Sequence, residues 1–170
     1  MTGEGAPASP APESIPTTHA SVVLVGEAGI LLRGPSGSGK SRLARELIAD
    51  ARRAGRFATL VADDRVTLRV QSGRLVAETP AALAGLLEIR GLGIVTVDFE
   101  PAAVVRLVVD CEEEYPPRMR EEGDQRVDVH GIVLPRLRLC GSAAKALDIL
   151  EFIAAQPAFP VTACDEMMTK

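Results

Sequence analysis

A chain of 170 residues, 46 % hydrophobic and 25 % charged, is sized and composed as one ordinary globular domain. Aromatics make up only 3 % and Trp is absent, so the core must be built from Val, Leu, Ile and Ala. A net charge of −4 weighs against nucleic acid or an anionic membrane as main partner, and no apolar run reaches the ~18 residues of a membrane span. The N-terminus shows no basic region followed by an apolar stretch, so no secretory signal is read there. Cys111, Cys140 and Cys164 are odd in number and widely spaced, which suggests neither a disulfide framework nor a zinc site. A reducing cytoplasm is the expected setting.

In chain order, residues 1–16 are rich in Gly, Pro, Ala and Ser, with almost nothing to bury, and read as a disordered tail. Residues 17–157 carry the pattern of a folded domain, and 158–170 read as a C-terminal tail. Val22 to Val25 form a first strand. The turn Gly26-Glu27-Ala28-Gly29 then joins it as a hairpin to a second apolar strand ending at Arg33. Gly34-Pro35-Ser36-Gly37-Ser38-Gly39-Lys40-Ser41 fits G-x-x-x-x-G-K-[ST], the phosphate-binding loop of nucleoside triphosphate enzymes. The helix that follows has Leu43, Leu47 and Ile48 at helical spacing and stops near Arg52-Arg53-Ala54-Gly55.

Strand, glycine loop and helix is the context this motif needs. Glycines let backbone N–H groups turn inward around phosphates, and the helix start adds partial positive charge. Residues Gly34 to Arg42 are therefore the expected nucleotide contacts, with Lys40 on the β- and γ-phosphates and Ser41 on Mg²⁺. Phe57 to Ala62 reads as a buried strand ending in Asp63-Asp64, the form of a Walker B element whose carboxylate lies beside the magnesium.

Val66–Val70 and Arg74–Glu78 read as a hairpin through Gln71-Ser72-Gly73, and residues 80–87 as a short helix. Ala103 to Asp110 is another strand. The polar stretch from Cys111 to Asp128 is expected to be a mobile loop, and Val129 to Leu139 one further strand. Ser142 to Ala155 reads as an amphipathic helix, with Ala146, Leu147, Ile149, Leu150 and Ile153 inward.

Four groups can supply chemistry beyond the cradle: His19, Asp63-Asp64, the Glu88/Arg90 pair, and the arginines of 111–128. Alone, a histidine before a strand reads as structural and Glu88/Arg90 as a surface pair. Together they fall into a pattern. Thr18-His19-Ala20-Ser21-Val22, the glycine loop, Val61-Ala62-Asp63-Asp64-Arg65-Val66 and, above all, Leu87-Glu88-Ile89-Arg90-Gly91-Leu92-Gly93-Ile94 resemble HPr kinase/phosphorylase over residues 17–155. The octapeptide is far more specific than the glycine loop.

The resemblance implies an α/β fold of the type shared with phosphoenolpyruvate carboxykinase, a mixed sheet with a hairpin before the P-loop, and a hexameric assembly. It implies a serine/threonine-protein kinase using ATP and Mg²⁺ on HPr, or an HPr-like carrier of the sugar phosphotransferase system. It also implies reversal by phosphorolysis, with inorganic phosphate consumed and pyrophosphate released. One of Asp63 and Asp64 would be the general base and, protonated, the acid. Asp64 is favoured, with Asp63 beside it in the metal and phosphate network. Glu88 would be the second Mg²⁺ ligand opposite Ser41, in a signature loop running through Ile89, Arg90, Gly91, Leu92 and Gly93. Arg90 would orient phosphates or Glu88, His19 would hydrogen-bond phosphate, and Arg118, with Arg120 competing, would stabilise the transferring group. The chain resembles the short forms that lack the family's N-terminal domain. Two other readings remain: a P-loop kinase for another acceptor, and a non-catalytic ATP-binding sensor.

Overall fold

A computed structural model describes residues 16–112, 122–140 and 146–156. Eleven strands and two helices are present among them. β1 is Thr17–His19, β2 Ser21–Val25, β3 Ala28–Arg33 and β4 Ala58–Ala62. β5 is Arg65–Gln71, β6 Arg74–Glu78, β7 Leu86–Ile89 and β8 Gly93–Thr96. β9 is Ala102–Glu112, β10 Arg126–Val129 and β11 Ile132–Cys140. Helix α1 is Lys40–Arg53 and α2 Ala146–Ala155.

Nine strands make one mixed sheet in the order β1-β5-β6-β9-β3-β2-β4, with β11 also on β9 and β10 on β11. The long strand β9 organises it. Its first residues pair antiparallel with β6, and its later residues run parallel to β3 and to β11. β2 is antiparallel to both β3 and β4, so the hairpin before the glycine loop is present as the turn residues predict.

Period-two alternation feeds two cores. Val23, Val25, Ile30, Leu32, Leu107 and Val109 meet Leu43 and Leu47 of α1 and Ile149 of α2 on one face. Val22, Leu31, Val105 and Val108 point the other way, onto Val61, Val66, Leu75 and Leu134. Aliphatic residues fill both cores, as the scarcity of aromatics requires. No helix among the described residues is long and apolar enough to cross a membrane.

Several local expectations need correction. Residues 80–87 do not form a helix: Ala81–Leu83 is one 3-10 turn, and β7 begins at Leu86. The signature octapeptide is instead a β-hairpin, with Leu87↔Val95 and Glu88↔Ile94 in register. Val129 to Leu139 is not one strand either. His130, at φ 55, and Gly131, at φ 82, turn the chain between β10 and β11. Cys111 and Glu112 belong to β9 and Arg126 to Asp128 to β10, so the expected 111–128 loop is shorter; residues 113–121 lie outside the described part. In α2, Ala146, Ile149 and Leu150 are buried, but Leu147 faces outward. The expected tails, 1–16 and 158–170, likewise lie outside the described residues except for Pro16.

Candidate functional site

The loop between β3 and α1 begins under a steric constraint. A Cβ on Gly34 would lie 2.4 Å from the backbone oxygen of Cys111 and 2.8 Å from Ser38 Oγ, at a φ of 149°. Only glycine allows β9 to press so closely on the start of the loop. At its other end Gly39 takes a left-handed conformation and leads into the first turn of α1, where a helix leaves its first N–H groups without partners inside the helix.

Lys40 is buried beside this loop. Its Nζ donates to the carbonyls of Gly34 at 2.9 Å and Pro35 at 2.8 Å, and lies 3.1 Å from His19 Nε2. An ammonium offers only donors, so Nε2 accepts, and the ring proton sits on Nδ1. Nδ1 is 3.0 Å from both the backbone oxygen and Oδ1 of Asp64. Burial pushes the Lys40 ammonium below its ordinary pKa, while Cys111, Asp63 and Asp64 pull the other way. Burial also pushes the Cys111 thiol up to about 11, so it remains a neutral packing group under the loop.

The two aspartates part company at the end of β4. Asp63 turns inward and is 6 % exposed. Its Oδ1 accepts from Ser21 Oγ at 2.6 Å and from Ser41 Oγ at 2.9 Å, and the Glu88 N–H points at Oδ2 from 3.4 Å. Asp64, at φ 66, turns outward and leaves its side chain 63 % exposed. Asp tolerates that left-handed turn better than most residues. β1 then brings His19 to it: His19 pairs with Arg65 across β1–β5, and the Ala20 N–H donates to the Asp64 carbonyl.

The β7–β8 hairpin is fixed beside these groups through its flanks. Val97 N–H donates to the Gly85 carbonyl, Glu100 N–H to the Leu60 carbonyl of edge strand β4, and Thr59 Oγ1 to the Asp98 carbonyl. Glu88 therefore stands at the end of β4. His19, the Ser36–Arg42 stretch, Asp63, Asp64, Glu88 and Arg90 all line one cavity of about 740 Å³. The remaining signature residues, Ile89, Gly91, Leu92 and Gly93, build the strand and turn that carry Glu88 and Arg90; Leu92 and Ile94 are both 70 % exposed. Arg118 and Arg120 lie outside the described residues.

Three cavity residues carried no role in the sequence reading: Ser21, Arg45 and Glu112. A serine opening an apolar strand gives no sequence signal of its partner; only the sheet sets Ser21 against Asp63. Glu112 lay in the expected loop, whereas it ends β9 and is held by Arg138, Nε to Oε1 at 2.6 Å, which also reaches Asp124 at 2.7 Å. Next to it, Arg33 and Arg136 clamp Asp110 at 2.7 and 2.6 Å, tying β3, β9 and β11 together at the loop's base.

The family is settled by the sequence pattern over the same region. Residues 13–102 match the HPr Serine kinase C-terminal domain. The chain belongs to that family. It is 34 % identical over 153 residues to an HPr kinase/phosphorylase of Geobacillus thermodenitrificans, covering 82 % of this chain and 48 % of that protein. A second HPr kinase/phosphorylase, from Caldicellulosiruptor bescii, is 33 % identical over 150 residues, covering 82 % and 46 %. The chain thus spans about half the length of the curated relatives it matches. Its fold is that of the HPr(Ser) kinase/phosphatase structure from Coxiella burnetii, with a TM-score of 0.65, 23 % identity and coverage of 82 % of this chain and 88 % of that one. The match confirms the α/β mixed-sheet class.

Proposed function

We propose that this chain is the catalytic domain of a cytoplasmic kinase that transfers the γ-phosphoryl group of ATP to a serine of HPr or an HPr-like phosphocarrier. The same site would remove the group by phosphorolysis. The observation that carries this reading is the convergence of Lys40, Ser41, Asp63, Asp64, His19 and Glu88 on one cavity in a member of this family.

Mg²⁺ fits the donor set. The Ser41 hydroxyl and the Asp63 and Glu88 carboxylates are hard oxygen donors around one cavity, and Mg²⁺ is usually held by one or two carboxylates plus substrate phosphates. Bound there, it would neutralise charge developing on the phosphates.

The residues divide the remaining work. Lys40 exchanges the Gly34 and Pro35 carbonyls for phosphate oxygens. Asp63, already accepting two hydroxyl hydrogens, fixes Ser41. Asp64 is exposed at the rim and free to accept the proton of an incoming serine hydroxyl as its oxygen attacks phosphorus and ADP leaves. His19 holds Asp64 from one side and Lys40 from the other. In the reverse direction inorganic phosphate takes the phosphoryl group, pyrophosphate leaves, and protonated Asp64 returns the proton to serine oxygen. Assembly as a hexamer belongs to the same proposal.

Incubation with ATP, Mg²⁺ and an HPr-like protein of the same organism, followed by mass spectrometry, should show one phosphoryl group on a serine. Added phosphate should then release pyrophosphate. An unmodified carrier would overturn the reading.

A further inference from the structure

Arg45 lies one helical turn beyond Ser41 on α1, on the same helix face, and lines the same cavity. The basic groups nearer the loop are engaged: Lys40 by two carbonyls and His19, and Arg42 by Glu46 at 3.7 Å. Arg45 has no hydrogen-bond or ion-pair partner among the described residues, and its Nε is closed to solvent with no acceptor.

Only three buried side-chain polar atoms among the described residues lack a partner, and two of them, Ser38 Oγ and Arg45 Nε, belong to residues lining this cavity. Buried polar groups are nearly always satisfied, so a donor left over at a cavity wall signals a missing partner. The observed rotamer of Arg45 carries a desolvation cost that no protein acceptor relieves. Turning toward an anion would break no existing bond.

Charge points the same way. Asp63, Asp64, Glu88 and Glu112 all border the cavity, so a polyphosphate entering it needs every available cation. A guanidinium presents a planar fork that matches phosphate oxygens in pairs.

We propose that Arg45 is a phosphate-binding residue, donating from its guanidinium to oxygens of the bound polyphosphate. The inference rests on the cavity being the polyphosphate site of the proposed function. The test is calorimetric titration of inorganic pyrophosphate with Mg²⁺ into wild type, Arg45→Met and Arg45→Lys, with melting curves of each protein alone and with ligand.

Arg45→Met should weaken pyrophosphate binding by about tenfold or more, and Arg45→Lys, keeping charge but not the fork, should fall between. The ligand-free melting temperature of Arg45→Met should hold, because an unsatisfied donor has been removed, while its ligand-induced rise should shrink. Wild-type affinity in Arg45→Met, or a lower ligand-free melting temperature with an undiminished ligand-induced rise, would overturn the inference and leave the proposed reaction standing. Weakened binding by Arg45→Met alongside a wild type that transfers nothing to any HPr-like serine would overturn the reaction and leave the role of Arg45 standing.

Discussion

Replacing Asp63 by Asn separates fold from chemistry most cleanly. The carboxylate accepts two hydroxyls on Oδ1, from Ser21 at 2.6 Å and Ser41 at 2.9 Å, and faces the Glu88 N–H with Oδ2. Asn can keep its one oxygen toward both hydroxyls, which leaves its NH₂ against that N–H. Hydrogen bonds to a charged acceptor contribute about 1.5–3 kcal/mol against about 0.5–1.5 for neutral ones, so two weakened bonds cost about 2 kcal/mol. Relief of the buried charge returns part of this, since desolvating an ion costs several kcal/mol. A net loss of about 1–2 kcal/mol lowers the melting temperature by roughly 2–8 °C at this chain length. Phosphoryl transfer should suffer far more: losing the negative charge that fixes Ser41 should lower kcat/KM by about 10² or more. The assay pairs thermal denaturation with steady-state phosphorylation of an HPr-like protein. A melting temperature lowered by well over 10 °C, with kcat/KM of the folded fraction unchanged, would refute the reasoning and make Asp63 a purely structural residue.

Other changes test the surrounding frame. Gly34→Ala places a methyl group 2.4 Å from the Cys111 carbonyl oxygen, whereas a Cβ at Gly37 meets nothing within 4 Å, although its φ of 84° is strained. Nucleotide affinity should therefore fall at least about tenfold in Gly34→Ala and less in Gly37→Ala, where strain of about 1–3 kcal/mol acts alone; equal losses would contradict the close approach of β9. Burial pushes the Asp110 carboxyl up, but hydrogen bonds and charge from Arg33 and Arg136 outweigh it and hold its pKa below the ordinary 3.8. A depressed folded-state pKa gives stability that is present above 3.8 and lost as pH falls through the folded value. The melting-temperature gap between wild type and Asp110→Asn should thus be widest near neutrality and narrow below pH 3.8; a gap independent of pH would show that the Arg33–Asp110–Arg136 clamp contributes nothing through charge.

What the sequence disclosed and what it hid follow from how far each interaction reaches. The glycine loop, its strand and its helix are local, so the spacing of Gly34, Lys40 and Leu43 placed them correctly. The β2–β3 and β5–β6 hairpins were legible from their turns for the same reason. Glu88 and Arg90 were identified through a distinctive octapeptide, but not as a hairpin: Gly91 and Gly93 masked the alternation that sets Glu88 opposite Ile94. The preference for Asp64 over Asp63 came from the family resemblance, and the residues themselves gave no sign of the opposite orientations the two side chains take. Those orientations depend on a left-handed φ at one residue and on Ser21, which lies 42 residues away. Glu112 was hidden for a related reason: a charged residue in a polar stretch looks like loop until a parallel partner, β11, is found to extend the strand. Arg45 looked like an ordinary polar helix residue, and only a three-dimensional inventory of partners sets it apart.

The central claim is that the cavity around Lys40 and Asp64 transfers phosphoryl groups to a serine hydroxyl. Single-turnover transfer from ATP labelled at the γ-phosphate to an HPr-like protein, measured beside equilibrium ATP binding, tests it most directly. Wild type should label a serine, and Lys40→Met should lose both binding and transfer. Asp64→Asn should bind ATP nearly as wild type does while its transfer falls by about 10²–10⁴-fold, the range a positioned base supplies. A wild type that binds ATP yet labels no serine of the carrier, or an Asp64→Asn protein that transfers as fast as wild type, would contradict it.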